Sequence, residues 1–162
     1  MAIPESISVL AGFVMAHAVW SQSDLPPGEA FVPLAVTEQG SQRKLLRFNA
    51  DSAQAAVEKG RAELLQMSNS SWALGYAVEE PLRSGQATFV EVAASSPAMS
   101  KPIVFRYQYQ HVGGRFQLLG PPRVVSAVPT RDVERASAIA AFQKGIASHP
   151  KVGPLWKKWQ AE

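Results

Sequence analysis

The pattern of polar and apolar residues predicts an α+β fold: a single domain over 1–162, with an antiparallel sheet of about six strands built from hairpins and packed by three helices. Three observations carry that expectation. The strand-like segments come in pairs divided by short turn signals. Three segments show helical periodicity, one near each end and one between the first and second strand pairs. No internal repeat or low-complexity segment intervenes. The resulting order is α-ββ-α-ββ-ββ-α, with the helices expected together on one sheet face.

The first helix is the most apolar run in the chain, residues 7–20. Ser6, just after Pro4, is the N-cap candidate, and Asp24 followed by Leu25-Pro26-Pro27-Gly28 ends the helix. At helical spacing Ile7, Leu10, Val14 and His17 form one ridge, and Val9, Phe13, Ala16 and Trp20 a second. Ser8, Gly12 and Ala16 form a small-residue stripe that lets another backbone come close, from within the domain or from a second copy. Two apolar ridges need cover on more than one side. A membrane span needs roughly 20 apolar residues, and this run is shorter and contains His17. Ala16-His17-Ala18 has the form of a signal-peptidase site, but residues 2–5 carry no Lys or Arg. The signal-peptide reading is therefore the weaker one, and a cytoplasmic protein is expected.

Residues 31–38 and 43–48 read as a hairpin around Gln39-Gly40-Ser41-Gln42, with Leu34 and Val36 expected to share a face with Leu46 and Phe48. Asp51, with Gln54 three residues later, is the cap expected for the second helix. Its stripe is Val57, Gly60, Leu64 and Met67, and Gly60 implies close approach to a covered element, the first helix being the candidate. Residues 72–79 alternate large and small. Trp72, Leu74, Tyr76 and Val78 share one face, while Ala73, Gly75 and Ala77 share the other, where a helix can pack tightly.

Residues 88–93 are apolar on both sides except for Glu91, the pattern of a central strand. Residues 103–111 alternate most cleanly: Ile103, Phe105, Tyr107 and Tyr109 one way, Arg106, Gln108 and Gln110 the other. Gly113-Gly114 turns the chain back into 115–119. Gly120-Pro121-Pro122 breaks that strand, and 123–127 read as a short last one. Thr130 is the cap expected for a third helix ending at about His149, with Ile139, Phe142 and Ile146 as its stripe. Residues 155–159 add one more helical turn, and Trp156 and Trp159 are expected to fold back over the end of the core.

Composition narrows the function classes. The chain is 46% hydrophobic and 18% charged, with a net charge of +3 and no cysteine. It is a folded globular chain without disulfides, thiolate metal ligands or a thiol nucleophile. Its basic residues are spread along the sequence, where a nucleic-acid binder clusters them, so nucleic acid is disfavoured. There is no GxGxxG, P-loop, GxSxG or HExxH motif, no histidine pair with metal-ligand spacing, and no cofactor is expected.

Two residues sit where an apolar core would not want them. His17 is titratable on an apolar helix beside Trp20. Glu91 lies between two valines, and an ion pair with an arginine on a neighbouring strand, such as Arg106, or an exposed position on a half-solvated sheet accounts for it better than catalysis does. The preferred reading is a non-catalytic binding or protein-interaction module that self-associates through Ser8, Gly12 and Ala16 or through a sheet edge. The alternative is a small-ligand-binding protein or enzyme whose pocket beside the first helix is lined by His17, Trp20, Tyr76, Glu91 and Tyr107.

Overall fold

The structure is a computed structural model that describes residues 3–83, 85–125 and 131–160. Its elements are α1 (Glu5–Ser23), β1 (Leu34–Gln39), β2 (Gln42–Arg47), α2 (Ala53–Leu65), β3 (Ser71–Leu82), β4 (Gly85–Ser95), β5 (Ile103–Val112), β6 (Arg115–Val124), α3 (Asp132–Ser148), a 3-10 turn (Gly153–Leu155) and α4 (Trp156–Trp159). The six strands form one antiparallel sheet in the order β2-β1-β3-β4-β5-β6. This is the expected α+β class and element order. No helix among the described residues is long and apolar enough to cross a membrane.

The helices are not all on one face. Strand alternation divides the apolar residues into two cores. α1 and α3 cover the face that carries Leu34, Val36, Ala73, Val90, Val92 and Phe105. α2 covers the other, with Phe48, Leu64, Trp72, Leu74 and Tyr76. The second core exists because β3 is large on one side and small on the other, and the large side also needs cover.

α1 is buried almost all round. Gly75 of β3 lies beneath it, where an added Cβ would approach Ala18 Cβ to 3.2 Å and Val14 Cγ1 to 3.3 Å. The small face of β3 receives a helix as its sequence predicts. On its other side α1 crosses α3 glycine against backbone. A Cβ on Gly12 would collide with the Phe142 carbonyl oxygen, and one on Gly145 with that of Val9. The close approach brings Phe142 down to stack on Phe105, with ring centroids 4.3 Å apart. The buried stripe of α3 is Ala138, Ala141, Phe142, Gly145 and Ile146, with Ile139 only half-buried. Gly145 turns the helix relative to the stripe that its large apolar residues predict.

Several local details differ from expectation. The helix α1 starts at Glu5 with Pro4 as a cap that makes no side-chain bond, so Ser6 lies inside the first turn. Ser52, not Asp51, caps α2, accepting from the Ala55 N–H. Gly60 approaches the Phe48 ring, not α1. The β1–β2 pairing sets Val36 opposite Leu45 and Ala35 opposite Leu46. With Glu38 opposite Arg43, Leu34 and Val36 share a face with Arg47 and Leu45, which leaves Leu46 and Phe48 on the opposite face. β6 is continuous through Gly120-Pro121-Pro122, which form an irregularity opposite Tyr107 and not a break. The Thr130 cap lies outside the described residues, and the last strand expected over 123–127 is described only to residue 125.

Gly113 and Gly114 both have positive φ, 57° and 79°, as a two-residue hairpin turn between twisted strands requires. The alternation of β5 holds throughout, with Phe105, Tyr107 and Tyr109 buried under the helices. At the C-terminal end Trp156 meets Tyr107 edge-on at 5.4 Å and Trp159 meets Phe116 at 5.9 Å. Both tryptophans close the end of the core.

Candidate functional site

Buried titratable groups gather in two places, one on each face of the sheet. The first lies at the C-terminal half of α1. Phe13, His17 and Trp20 follow one another at four- and three-residue spacing, so they line one helix ridge. His149, which ends α3, completes a ring cluster. Its ring centroid lies 5.0 Å from Phe13, 5.4 Å from His17 and 5.9 Å from Trp20. The helix crossing at Gly12 and Gly145 sets this geometry, because His149 lies one turn beyond Gly145 and Phe13 directly follows Gly12.

The hydrogen bonds fix the protons. The backbone N–H groups of Lys151 and Val152 point at His149 Nδ1, 3.3 and 3.1 Å away. A nitrogen that accepts carries no proton, so His149 is neutral with its proton on Nε2. That Nε2 lies 3.2 Å from His17 Nδ1 and donates to it. His17 Nδ1 is then an acceptor too, and the His17 proton sits on Nε2, an assignment made from the network. His17 Nε2–H has no protein partner among the described residues. Both imidazoles are held below the ordinary 6.5. Burial is the main cause for each, followed by the charge of Arg47 for His17, and by His17 and then Lys151 for His149.

An open pocket of about 370 Å³ lies against this pair, walled by Phe13, His17 and Trp20, by Val36, Arg43, Lys44 and Leu45 of the first hairpin, and by His149, Pro150 and Lys151. Leu45 is half exposed, at 50%, because it is one of the apolar walls of the pocket. The charge around it is one-sided. The Arg43 guanidinium stands 5.1 Å over the Phe13 ring and is paired to Glu38 at 2.7 Å. The Lys151 ammonium stands 5.6 Å over Trp20. Arg47, on the same side of β2 as Arg43 and Leu45, and Lys151 have no carboxylate partner among the described residues. No Asp or Glu lines the pocket.

The second cluster lies on the α2 face. Glu91 is 8% exposed. Its Oε2 accepts from Arg106 Nε at 2.7 Å and from Arg106 Nη2, and its Oε1 accepts from the Tyr76 hydroxyl at 3.1 Å. Arg61 of α2 donates to that hydroxyl at 2.8 Å, Arg106 also reaches Glu80 at 2.7 Å, and its guanidinium stacks 4.1 Å over Phe89. Burial, with the Glu91 charge beside it, pushes the Tyr76 phenol up to about 12. Every polar group at the centre of this network has a partner within the chain.

The five residues expected around one pocket therefore fall into three places. His17 and Trp20 line the pocket together. Tyr76 and Glu91 bond each other on the opposite face, because Val90 and Val92 turn towards α1 and the residue between them must turn away. Tyr107 is on the α1 face but is enclosed by Phe142 and Trp156, 2% exposed. Glu91 takes the Arg106 ion pair that its strand neighbours predict. Ser8, Gly12 and Ala16 are all buried, and Gly12 packs on α3 of the same chain. Ser8 Oγ has no hydrogen-bond partner among the described residues and borders a cleft of about 510 Å³ between the first turns of α1 and α3.

Sequence reasoning missed His149, Lys151 and the arginines of β2. His17 and His149 are 132 positions apart, and no linear spacing reports that. One signal was present: Ala138, Phe142, Gly145 and His149 continue a single helical stripe, so His149 is its last inward position. Among the described residues no group of three or more His, Asp or Glu is placed to hold a metal ion. Comparison of the chain with family models, with curated proteins and with solved structures gave no match in any of the three.

Proposed function

We propose that the protein is a non-catalytic small-ligand-binding module whose site is the pocket beside His17 and His149. The observation that carries this reading is the locked histidine pair. It leaves one imidazole N–H, on His17, without a partner at the wall of an aromatic-lined cavity. His17 is half-buried and its N–H opens on the cavity, and a donor set among Phe13, Trp20 and Leu45 is the arrangement of a ligand site: mostly apolar, with a few placed polar groups.

The same geometry favours binding over catalysis. The free nitrogen of His17 carries the proton, so it donates and does not act as a general base. No serine, threonine or carboxylate lines the pocket to serve as a nucleophile or acid.

The test is an NMR titration of the labelled protein with neutral, anionic and cationic monoaromatic fragments. Saturable shifts are expected at the Trp20 indole N–H, His17 and Leu45 for at least one class, and Trp20→Ala should abolish them while the rest of the spectrum persists. Saturable shifts that map only to Arg106 and Glu91, or none at millimolar fragment, would overturn the assignment.

A further inference from the structure

We infer that the ligand of this pocket is a carboxylate carried on an apolar, ring-sized body. This deepens the binding-site reading above and rests on it. Three features of the site point to an anion. The groups at its ring cluster without a hydrogen-bond partner among the described residues, His17 Nε2–H and the Trp20 indole N–H, are donors. Lys44 and Lys151 line the cavity with no carboxylate opposite them among the described residues, and the Arg47 charge acts on His17 from nearby. No acidic side chain lines the cavity. A cationic ligand would meet these charges unshielded, and a neutral one would leave them unanswered.

The rest of the cavity sets the body. Phe13, Trp20, Val36 and Leu45 offer apolar walls, and about 370 Å³ accommodates a single substituted ring. A carboxylate has two acceptor oxygens and no donor. One oxygen accepts from His17 Nε2–H, and the other faces the rim where Lys44 and Lys151 stand, with the Arg47 charge nearby. An alcohol or amide presents a weaker acceptor to the same groups, because a hydrogen bond to an ionised partner is roughly twice as strong.

Binding leaves a proton signature. The charged and titratable groups around His17 are His149 at the end of α3, Lys151 in the following turn, and Arg43, Lys44 and Arg47 on β2. Glu38 reaches the site only as the partner of Arg43. All but Glu38 disfavour an imidazolium. A carboxylate against Nε2 reverses that balance, so binding raises the His17 pKa and affinity increases as pH falls towards it.

The experiment titrates the protein with 3-phenylpropanoate, its amide and 3-phenylpropylamine, following Trp20 and the histidine ring nitrogens by NMR. The acid should bind roughly tenfold more tightly than the amide, and the amine should bind weakest. The double variant Arg47→Gln/Lys151→Gln changes only exposed side chains, so its fold should persist. It should weaken the acid roughly fivefold or more and leave the amide unchanged. The His17 pKa should rise on saturation with the acid. If the amide or amine binds the same pocket as well as the acid does, the carboxylate assignment is wrong while the pocket stands. If none of the three perturbs Trp20 or His17, the pocket reading falls with it.

Discussion

The Glu91 cluster and the His17 pocket are both built from titratable side chains held against the sheet, yet they do opposite things with their hydrogen bonds. At Glu91 the bonds close on themselves. Two arginines, a tyrosine and a second carboxylate satisfy one another, and the opposite charges are adjacent. At His17 the bonds form a chain with an open end: two backbone N–H groups feed His149, His149 feeds His17, and His17 donates outward. Burial alone does not separate a structural polar group from a functional one. The deciding property is whether the last donor or acceptor in the network has a partner inside the chain.

The largest expected effect that sharpens this contrast is at Arg106. Arg106→Met leaves the Glu91 carboxylate buried with only Tyr76 beside it, and removing one partner of a buried ion pair costs about 3–5 kcal/mol. Urea unfolding should show that loss, while the affinity of the pocket for any ligand stays as in the parent. A variant that folds with parent stability would mean the cluster is not structural, and the contrast would fail.

Next in size is the helix crossing on which the pocket depends. Gly145→Ala forces α3 away from the Val9 carbonyl, a close-packed contact with no flexible side chain to yield. The cost should be about 1–3 kcal/mol. The substitution should also move the ring signals of His17 and His149 and leave those of Tyr76 in place, since Tyr76 lies across the sheet. Movement of the Tyr76 signals to the same extent would show that the two regions are one coupled unit.

How much of this was legible in the sequence follows from the range of each interaction. Alternation and helical spacing are local, so the six strands, the three long helices and the small face of β3 could be read directly. Glu91 was partly readable for the same reason: a lone acid between valines either pairs with a cation on the next strand, where Arg106 was in reach, or lies on a solvated face, and burial decides for the pair. The second sheet face covered by α2 was missed although the large face of β3 announced it. The facing of the first hairpin was missed although its turn was placed: pairing Glu38 with Arg43 sets Leu45, not Leu46, opposite Val36. The site was half legible. His17 stood out as an unforced polar residue on α1. Its partner could not be found, because the pairing depends on where two helices cross, and that depends on Gly12 meeting α3 and Gly145 meeting α1. Neither glycine is distinctive in the linear chain. The expected convergence of Tyr76 and Glu91 on His17 treated polar oddity as proximity, and strand alternation placed them apart.

The smallest effects near neutral pH are proton-linked, and they divide the two regions by sign. His17 and His149 bind protons less readily in the folded chain than at the ordinary 6.5. Their contribution to stability is complete above pH 6.5. It is lost as pH falls below that value towards their lowered folded pKa values, because the unfolded chain then takes up more protons. Tyr76 behaves in reverse. Its phenol is raised from 10.0 to about 12, so its contribution is complete below pH 10 and is lost as pH rises towards 12. A profile of urea midpoint against pH should therefore fall at both ends, with the acid limb set at the pocket and part of the alkaline limb set at the Glu91 cluster. In the double variant His17→Gln/His149→Asn, the amide oxygen introduced at the end of α3 can still accept from the Lys151 and Val152 N–H groups, and the acid limb should flatten with the alkaline limb intact. Tyr76→Phe should make the alkaline limb shallower without levelling it, because burial raises Tyr107 and Tyr109 as well, and it should leave the acid limb untouched. If the histidine variant alters both limbs equally, the two faces of the sheet do not hold their protons independently.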